Sequence, residues 1–187
     1  MGKDGKPGSE AAGSSDQPRL DPANSDVVEQ PTISTELAQR LVAAGLGYGR
    51  QIGRPLTIAV VDSGGLLIGF ARMVGAPIAT NQTAHDKAWT SVATRRPTHH
   101  WFEMMQIDEA LRLGVTGGIP RVVVFGGGYP ITVNGKLVGG LGVSGAHHEV
   151  DRIAAEAILE LVGLDVAKPF EAPIDSSGHP RSGEEDR

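Results

Sequence analysis

The chain has 187 residues, a formal net charge of -5 at pH 7, a pI near 5.6 and no cysteine. Its lysine and arginine residues are scattered, which argues against a nucleic-acid-binding face, and the lack of cysteine excludes disulfide frameworks, zinc ribbons and thiolate nucleophiles. The N-terminus lacks the apolar core of a secretory signal, and no run reaches the roughly 18 apolar residues of a membrane span, so we expect a cytoplasmic protein that does not bind membranes.

Composition divides the chain into three segments. Residues 1–30 are rich in Gly, Ser, Pro, Asp and Lys and carry almost no large apolar side chains. Such a segment cannot bury enough surface to offset the entropy lost on ordering. Residues 165–187 have the same character. We therefore predict a disordered N-terminal arm, one domain over 31–164 and a flexible C-terminal tail.

The first half of the domain is predicted to contain two helices around a hairpin. Apolar residues at helical spacing predict a helix over 33–52, which the Gly-Arg-Pro sequence at 53–55 ends. Two β-rich runs, 56–61 and 66–72, flank an Asp-Ser-Gly-Gly turn and predict the hairpin. A second helical pattern follows over 78–94.

The second half is predicted to hold one or two short helices over 98–113, strands at 121–125, 131–133 and 137–143, and a last helix. Asn134-Gly135 separates the last two strands and tolerates positive φ at both centres of a type I′ turn, so these strands should form a hairpin. The last helix should bury an apolar face made of Val150, Ile153, Ala154, Ala157, Ile158, Leu161 and Val162.

This order of elements predicts the fold class. Consecutive strands are joined by tight turns rather than by crossover helices, which favours an antiparallel sheet over a Rossmann fold. We expect an α+β domain in which helices pack on an antiparallel sheet of about five strands.

The glycine clusters do not predict a nucleotide site. Gly126-Gly127-Gly128 is followed by a strand rather than by a helix, and the sequence has no GxxxxGK[ST] motif. We read these glycines as positions for turns and close backbone approach, and expect no nucleotide. Ser144-Gly145, just before the last helix, leaves an anion site open as an alternative.

Lys87 lies on an otherwise small and weakly polar face of the second predicted helix. A lysine buried in such a place must be paired or have a shifted pKa. Two interpretations stay open: a structural pair with Asp62 or another internal acid, or a role in holding an anionic group of a ligand.

The histidines form no recognisable metal motif. There is no HExxH, and adjacent histidines on a helix should point to different faces and not share an ion. His85 is the best placed for haem iron, because Gln82, Trp89 and Val92 lie on the same predicted helix face and would give it an apolar, aromatic wall.

Over residues 32–164 the chain resembles the GlcG/HbpS family, which includes the C-terminal domain of PduO-type proteins. The motifs that carry the resemblance are AVVDSGG at 59–65, AHDKAWT at 84–90, GGGYPI at 126–131 and GGLGVSGAHHEVDRIAAEA at 139–157. The resemblance implies a profilin-like or PAS-like α+β fold, assembly into homo-oligomers from dimer to octamer and, in some members, haem binding. Because no adenosyltransferase domain is present in the sequence, corrinoid chemistry is not expected.

Three functions are compatible with these residues. The first is a small intracellular ligand-binding protein with haem as the expected ligand, in a pocket between the Lys87 helix and the glycine-rich strands. Its iron ligand would be His85, and the residues expected around the cofactor are His85, Lys87, Thr116, Gly117, Ser144, Gly145 and His147. The second is an enzyme acting on a small oxo or hydroxy acid, or on a related catabolic intermediate, with Lys87, His85 and Asp62 as acid and base. The third is a regulatory or structural oligomer.

Overall fold

A computed structural model describes residues 29–168 of the chain. The predicted arm, apart from its last two residues, and the predicted tail from residue 169 onward lie outside the described residues. Within the described range the elements are α1 (Thr35–Gln51), β1 (Thr57–Asp62), β2 (Leu67–Arg72), α2 (Thr80–Thr94), α3 (Thr98–Ile107), α4 (Glu109–Gly118), β3 (Gly128–Val133), β4 (Lys136–Ser144) and α5 (His148–Leu161). None of the helices in this range is long and apolar enough to cross a membrane.

The strands form one antiparallel sheet in the order β2-β1-β4-β3. The hairpins β1-β2 and β3-β4 are therefore joined side by side through β1 and β4. The turn of the second hairpin is the predicted one, because Asn134 and Gly135 both have positive φ, 52° and 73°. The α+β class is confirmed, with four strands among the described residues instead of about five.

The strand predicted at 121–125 is wrong. This segment runs alongside α2 and α3 in an irregular conformation, and Arg121 has a φ of 68°. Its backbone groups bond to threonine side chains instead of a neighbouring strand: the Val123 N–H donates to the Thr90 hydroxyl over 3.0 Å, and the Thr98 hydroxyl donates to the Phe125 carbonyl over 2.7 Å. The three consecutive valines at 122–124 are therefore partly buried against helices and do not form a strand.

Helices cover both faces of the sheet. Alternate residues of β1 belong to two different apolar clusters, as the pleat of a strand requires. Ile58 and Val60 pack in the cluster that contains buried residues of α1 and α5, whereas Ala59 and Val61 pack with Ala84, Ala88 and Val92 of α2. The result is three layers, with the sheet between α2 and the α1–α5 pair.

Glycines let the backbone of α2 lie directly on the sheet. A Cβ atom at Gly140 would come within 2.5 Å of the Ala88 carbonyl oxygen, and one at Gly128 within 2.5 Å of the Lys87 carbonyl oxygen. A Cβ at Gly142 would overlap the Ala84 carbonyl oxygen. Among the described residues, backbone therefore packs against backbone where a pocket between the Lys87 helix and these strands was predicted.

The face that α5 buries differs from the predicted one. Ile153 and Leu161 were expected inside but are 49% and 63% exposed. The buried residues of the helix are Asp151, Ala154, Ala155, Ile158 and Leu159. Ala154 and Ile158 belong to both faces, but the buried stripe begins at a charged residue, Asp151, so a search for apolar spacing alone rotates the stripe away from its observed position.

We predict that Gly142→Ala lowers the free energy of unfolding by about 1 to 3 kcal/mol, because the added methyl group overpacks α2 against β4. Urea denaturation measures the change. The matched control is Gly47→Ala in α1, where nothing lies within 4 Å of the added methyl group and alanine should be neutral or slightly stabilising. Equal stabilities for the two variants would contradict the close packing of α2.

Candidate functional site

A buried ion pair fixes the start of α5 against α2 and β4. Lys87 is fully buried, and its Nζ donates to Asp151 Oδ2 over 2.8 Å and to the Val143 carbonyl oxygen over 2.9 Å. The other carboxylate oxygen of Asp151 accepts from the Ala146 N–H over 2.9 Å. Burial lowers the pKa of Lys87, while the charge of Asp151 acts in the opposite direction. Lys87 is thus held by an internal acid, which is Asp151 and not Asp62.

The residues of the predicted acid–base set do not form one site. Asp62 accepts hydrogen bonds from the N–H groups of Gly64 and Leu66, over 2.9 and 2.8 Å, and so stabilises the turn of the first hairpin. His85 and Lys87 are two residues apart on α2 and lie about 200° apart around the helix. Lys87 therefore points into the core while His85 lies on the other side of α2, where burial lowers the pKa of its imidazole.

A cavity of about 770 Å³ lies elsewhere, between α3, the segment before β3, α5 and residues 166–168. Three aromatic side chains line it, Phe102, Phe125 and Tyr129, together with two imidazoles, His99 and His148. The charged residues in its wall are Glu103, Glu149, Arg152, Glu156 and Lys168. The cavity therefore combines apolar rings with nitrogen ligands and fixed charges.

Arg152 organises one wall of the cavity. Its Nη1 donates to Glu156 over 2.7 Å and its Nε donates to Glu149 over 2.9 Å. The Tyr129 hydroxyl donates to the same Glu156 carboxylate. Burial, and then this carboxylate, raise the pKa of Tyr129, so the phenol stays protonated. The hydrogen bond from Arg152 lowers the pKa of Glu149.

The imidazoles in and beside the cavity lie in two groups. On α5, His148 has its Nδ1 atom 3.4 Å from Glu149 Oε1, and its ring makes an edge contact with Phe125, with ring centres 6.5 Å apart. On α3, the rings of His99 and His100 have centres 4.5 Å apart, and ligand atoms of His99, His100 and Glu103 all lie within 4.8 Å of one another. The adjacent histidines of α3 thus bring ligand atoms close together, with Glu103 one turn further along the helix; that adjacent histidines do not share an ion stays a prediction.

None of the residues predicted to surround a cofactor lines this cavity. Thr116 and Gly117 are exposed in the last turn of α4, and Ser144 is buried at the end of β4. His147 caps α5, with its Nδ1 accepting from the Glu149 N–H over 3.4 Å. The ligand roles proposed for these residues, for His85 and for Lys87 stay predictions. Phe125 links the cavity, which it lines, to the buried Lys87–Asp151 pair, because its ring centre lies 5.1 Å from Lys87 Nζ.

The sequence reasoning missed His99, Glu103, Tyr129 and Arg152. They come from α3, β3 and α5, which are far apart in the sequence, and only the HHxxE spacing of His99, His100 and Glu103 carries a local signal. Arg152 and Glu156 are one helical turn apart, a spacing common on any solvated helix.

Comparison with known proteins identifies the family. The family model described as "Haem degrading protein HbpS-like" matches residues 33–160. The chain belongs to the HbpS-like family. The resemblance to the GlcG/HbpS family is thereby confirmed.

Relatives of known sequence cover most of the domain. A 15.0 kDa uncharacterised protein from the dhaT-dhaS intergenic region of Citrobacter freundii is 33% identical over 129 residues, 69% of this chain and 91% of that protein. Protein GlcG of Escherichia coli K12 is 34% identical over 113 residues, 60% of this chain and 81% of GlcG. The corrinoid adenosyltransferase PduO of Salmonella typhimurium is 31% identical over 76% of this chain, but the match spans only 43% of PduO.

Solved structures share the fold. A structure of a PduOC:heme complex has a TM-score of 0.68 and 30% sequence identity, covering 73% of this chain and 99% of that one. A double mutant of HbpS from Streptomyces reticuli has a TM-score of 0.67 and 27% identity, covering 75% of this chain and 93% of that one. The HbpS-type α+β fold is therefore shared over about three quarters of this chain.

We predict that Lys87→Met destabilises the protein by about 3 to 5 kcal/mol, because it leaves the carboxylate of Asp151 buried without its cation. The double variant Lys87→Met/Asp151→Leu should recover part of this loss, since no unpaired charge remains. Chemical denaturation of both variants measures the two effects.

Arg112→Met is the matched control for this experiment. It breaks the exposed pair between Arg112 and Glu109, whose side chains are 52% and 76% exposed, and should cost less than about 1 kcal/mol. A Lys87→Met variant as stable as Arg112→Met would contradict a structural role for the buried pair.

Proposed function

We propose that this chain binds haem in the cavity between α3 and α5, with His148 as the iron ligand. The observation that carries the proposal is an imidazole backed by a carboxylate and facing a cavity walled by aromatic rings. The family description and the related PduOC:heme complex support the same ligand.

The cavity suits a large, flat, apolar ligand with charged groups at its edge. Its volume of about 770 Å³ lies within the range of about 300 to 1,000 Å³ common for small-molecule sites. Aromatic residues make up only 4% of the sequence, yet Phe102, Phe125 and Tyr129 all line this one cavity. Rings of this kind provide the apolar walls that a porphyrin requires.

His148 is the better placed of the two cavity imidazoles to bind iron. Its Nδ1 atom faces Glu149, and Arg152 holds that carboxylate. An imidazole whose second nitrogen contacts a carboxylate has a fixed ring orientation and a more basic ligand nitrogen, as is usual for histidines that bind metals. His148 would then hold the iron through Nε2, and bound haem would supply a redox-active iron centre in the cavity.

The charges around the cavity fit the propionate groups of haem. Arg152 is held by Glu149 and Glu156, whereas Lys168 is exposed at the edge of the cavity. We assign Lys168 to a propionate. The alternative acid–base enzyme would need Lys87, His85 and Asp62 at one place, and the hydrogen bonds of Lys87 and Asp62 engage them in the ion pair and the turn instead.

Titration of the purified protein with hemin, followed by absorption, tests the proposal. We expect a saturable Soret shift at one hemin per chain. His148→Ala should weaken binding at least about 10-fold, the lower end of losses seen when metal sites are altered. His85→Ala is the comparison, because it removes the imidazole that the sequence favoured as ligand, and it should leave the shift intact.

Circular dichroism of each variant controls for folding. A response that never saturates would overturn haem binding at this cavity. A Soret shift that is lost in His85→Ala and kept in His148→Ala would move the iron ligand back to α2.

We also propose that the protein assembles into a homo-oligomer and acts in the cytoplasm. The support for assembly is an exposed apolar surface along edge strand β2 and the loop after it, formed by Leu66, Leu67, Phe70, Val74 and Ile78. Monomers rarely leave such surface in water, and an exposed edge strand invites pairing. The cytoplasmic location stays a prediction from the sequence.

Light scattering on a sizing column tests the assembly. We expect a mass of at least two chains for the wild type, and a smaller species for Val74→Asp/Ile78→Asp, because two charges would then lie in the interface. Leu113→Asp, at an exposed leucine of α4, is the control. A monomeric wild type at micromolar concentration would contradict the proposal.

A further inference from the structure

A second group of ligand atoms lies on the α3 side of the cavity. His99, His100 and Glu103 each offer one ligand atom, and these atoms all lie within 4.8 Å of one another. His148 and Glu149, which the haem proposal uses, belong to α5 and are not part of this group. His99 and Glu103 line the cavity, so an ion held here would be reachable from it.

The helix itself brings these three residues together. Each residue of an α-helix is rotated by about 100° from the one before it, so Glu103 lies about 40° from His99 and about 60° from His100 around the axis. It is also one turn further along, at the i+4 and i+3 positions whose side chains meet. The carboxylate therefore lies between the two imidazoles, and small rotamer changes would bring the three ligand atoms onto one ion.

Burial makes this arrangement costly without a ligand. His100 is only 6% exposed, and Nδ1 of His99 and Oε2 of Glu103 are buried with no hydrogen-bond partner among the described residues. A buried polar atom left without a partner costs about 1 to 3 kcal/mol. One ion bound between His99 and Glu103 would satisfy both atoms.

We propose that His99, His100 and Glu103 bind one divalent first-row transition-metal ion, in addition to the haem assigned to His148. Two imidazoles and one carboxylate form a donor set that suits Zn²⁺, Fe²⁺ and Co²⁺, whereas Mg²⁺ and Ca²⁺ prefer oxygen ligands only. Three protein ligands leave at least one coordination position for water or for a ligand in the cavity.

Burial affects the protonation of all three ligands. Metal binding needs neutral imidazoles and an ionised carboxylate. Burial lowers the pKa of both histidines, that of His100 to about 4, which favours the neutral rings, and it raises the pKa of Glu103, which a bound cation would offset. For a free metal ion the histidines at the start of α5 are a poorer set, because the side chains of His148 and its neighbour Glu149 are 42% and 50% exposed.

Titration of the full-length, hemin-free protein with Zn²⁺ by calorimetry tests the site, and Co²⁺ followed by visible absorption reports its ligands. We expect one ion per chain. Glu103→Gln keeps the size of the side chain and removes the anionic ligand, so Zn²⁺ affinity should fall at least about 10-fold and the cobalt bands should change. Glu109→Gln, at an exposed carboxylate on α4, is the control and should bind as the wild type does.

Thermal denaturation provides a second measurement that does not depend on the variant's basal stability. Zn²⁺ should raise the melting temperature of the wild type and leave that of Glu103→Gln unchanged, because an ion stabilises only the folded state that binds it. Affinity that is unaffected by Glu103→Gln, or that falls only in Glu149→Gln, would overturn the site. Because the zinc titration contains no hemin, a negative result would reject the metal site without bearing on the haem proposal.

Discussion

The Lys87–Asp151 ion pair is the interaction on which the rest of the site depends. It joins the middle of α2, the end of β4 and the first turn of α5 in a region closed to water. Two buried charges gain little net stability over well-packed apolar residues, but losing one partner is strongly unfavourable. The pair therefore acts mainly as a constraint on orientation. We infer that it fixes the rotation of α5, the helix that carries His148, Glu149 and Arg152.

The glycine run before β3 is a consequence of that constraint. A Cβ atom at Gly126 would lie 2.6 Å from the His148 carbonyl oxygen, and one at Gly127 would lie 2.9 Å from Lys87 Nζ. Gly127 also has a φ of 115°, a backbone angle that residues with a side chain rarely adopt. These glycines thus provide space for the ion pair and for the start of α5, and they place Phe125 between the pair and the cavity. These contacts agree with the close backbone approach that the sequence analysis expected at these glycines.

Local signals in the sequence were enough to predict most of the fold. The Asn134-Gly135 turn, the hairpin around Asp62 and the apolar spacing of α1 each depend on residues that are close in the chain. The strand expected at 121–125 failed because its partners are the hydroxyl groups of Thr90 and Thr98, about 30 residues away. No rule of spacing detects such bonds.

The candidate site was harder to predict for the same reason. That a buried Lys87 needs either an acid partner or an anionic ligand group followed from its small, weakly polar surroundings, but the pairing with Asp151 depends on how α5 packs against α2. The cavity forms where four separate segments meet, which the spacing of residues along the chain does not reveal. His85 was therefore favoured as a ligand from its local helix face alone. His99, His100 and Glu103 are the exception, because their spacing on one helix is visible in the sequence once the angle between neighbouring residues is considered.

A crystal structure of the hemin complex, with anomalous scattering recorded at the iron edge, tests the central claim most directly. We predict one iron peak per chain within bonding distance of His148 Nε2, with the porphyrin inside the cavity that Phe125 and Tyr129 line. An iron peak beside His85, or a porphyrin bound outside the cavity between α3 and α5, would contradict the account.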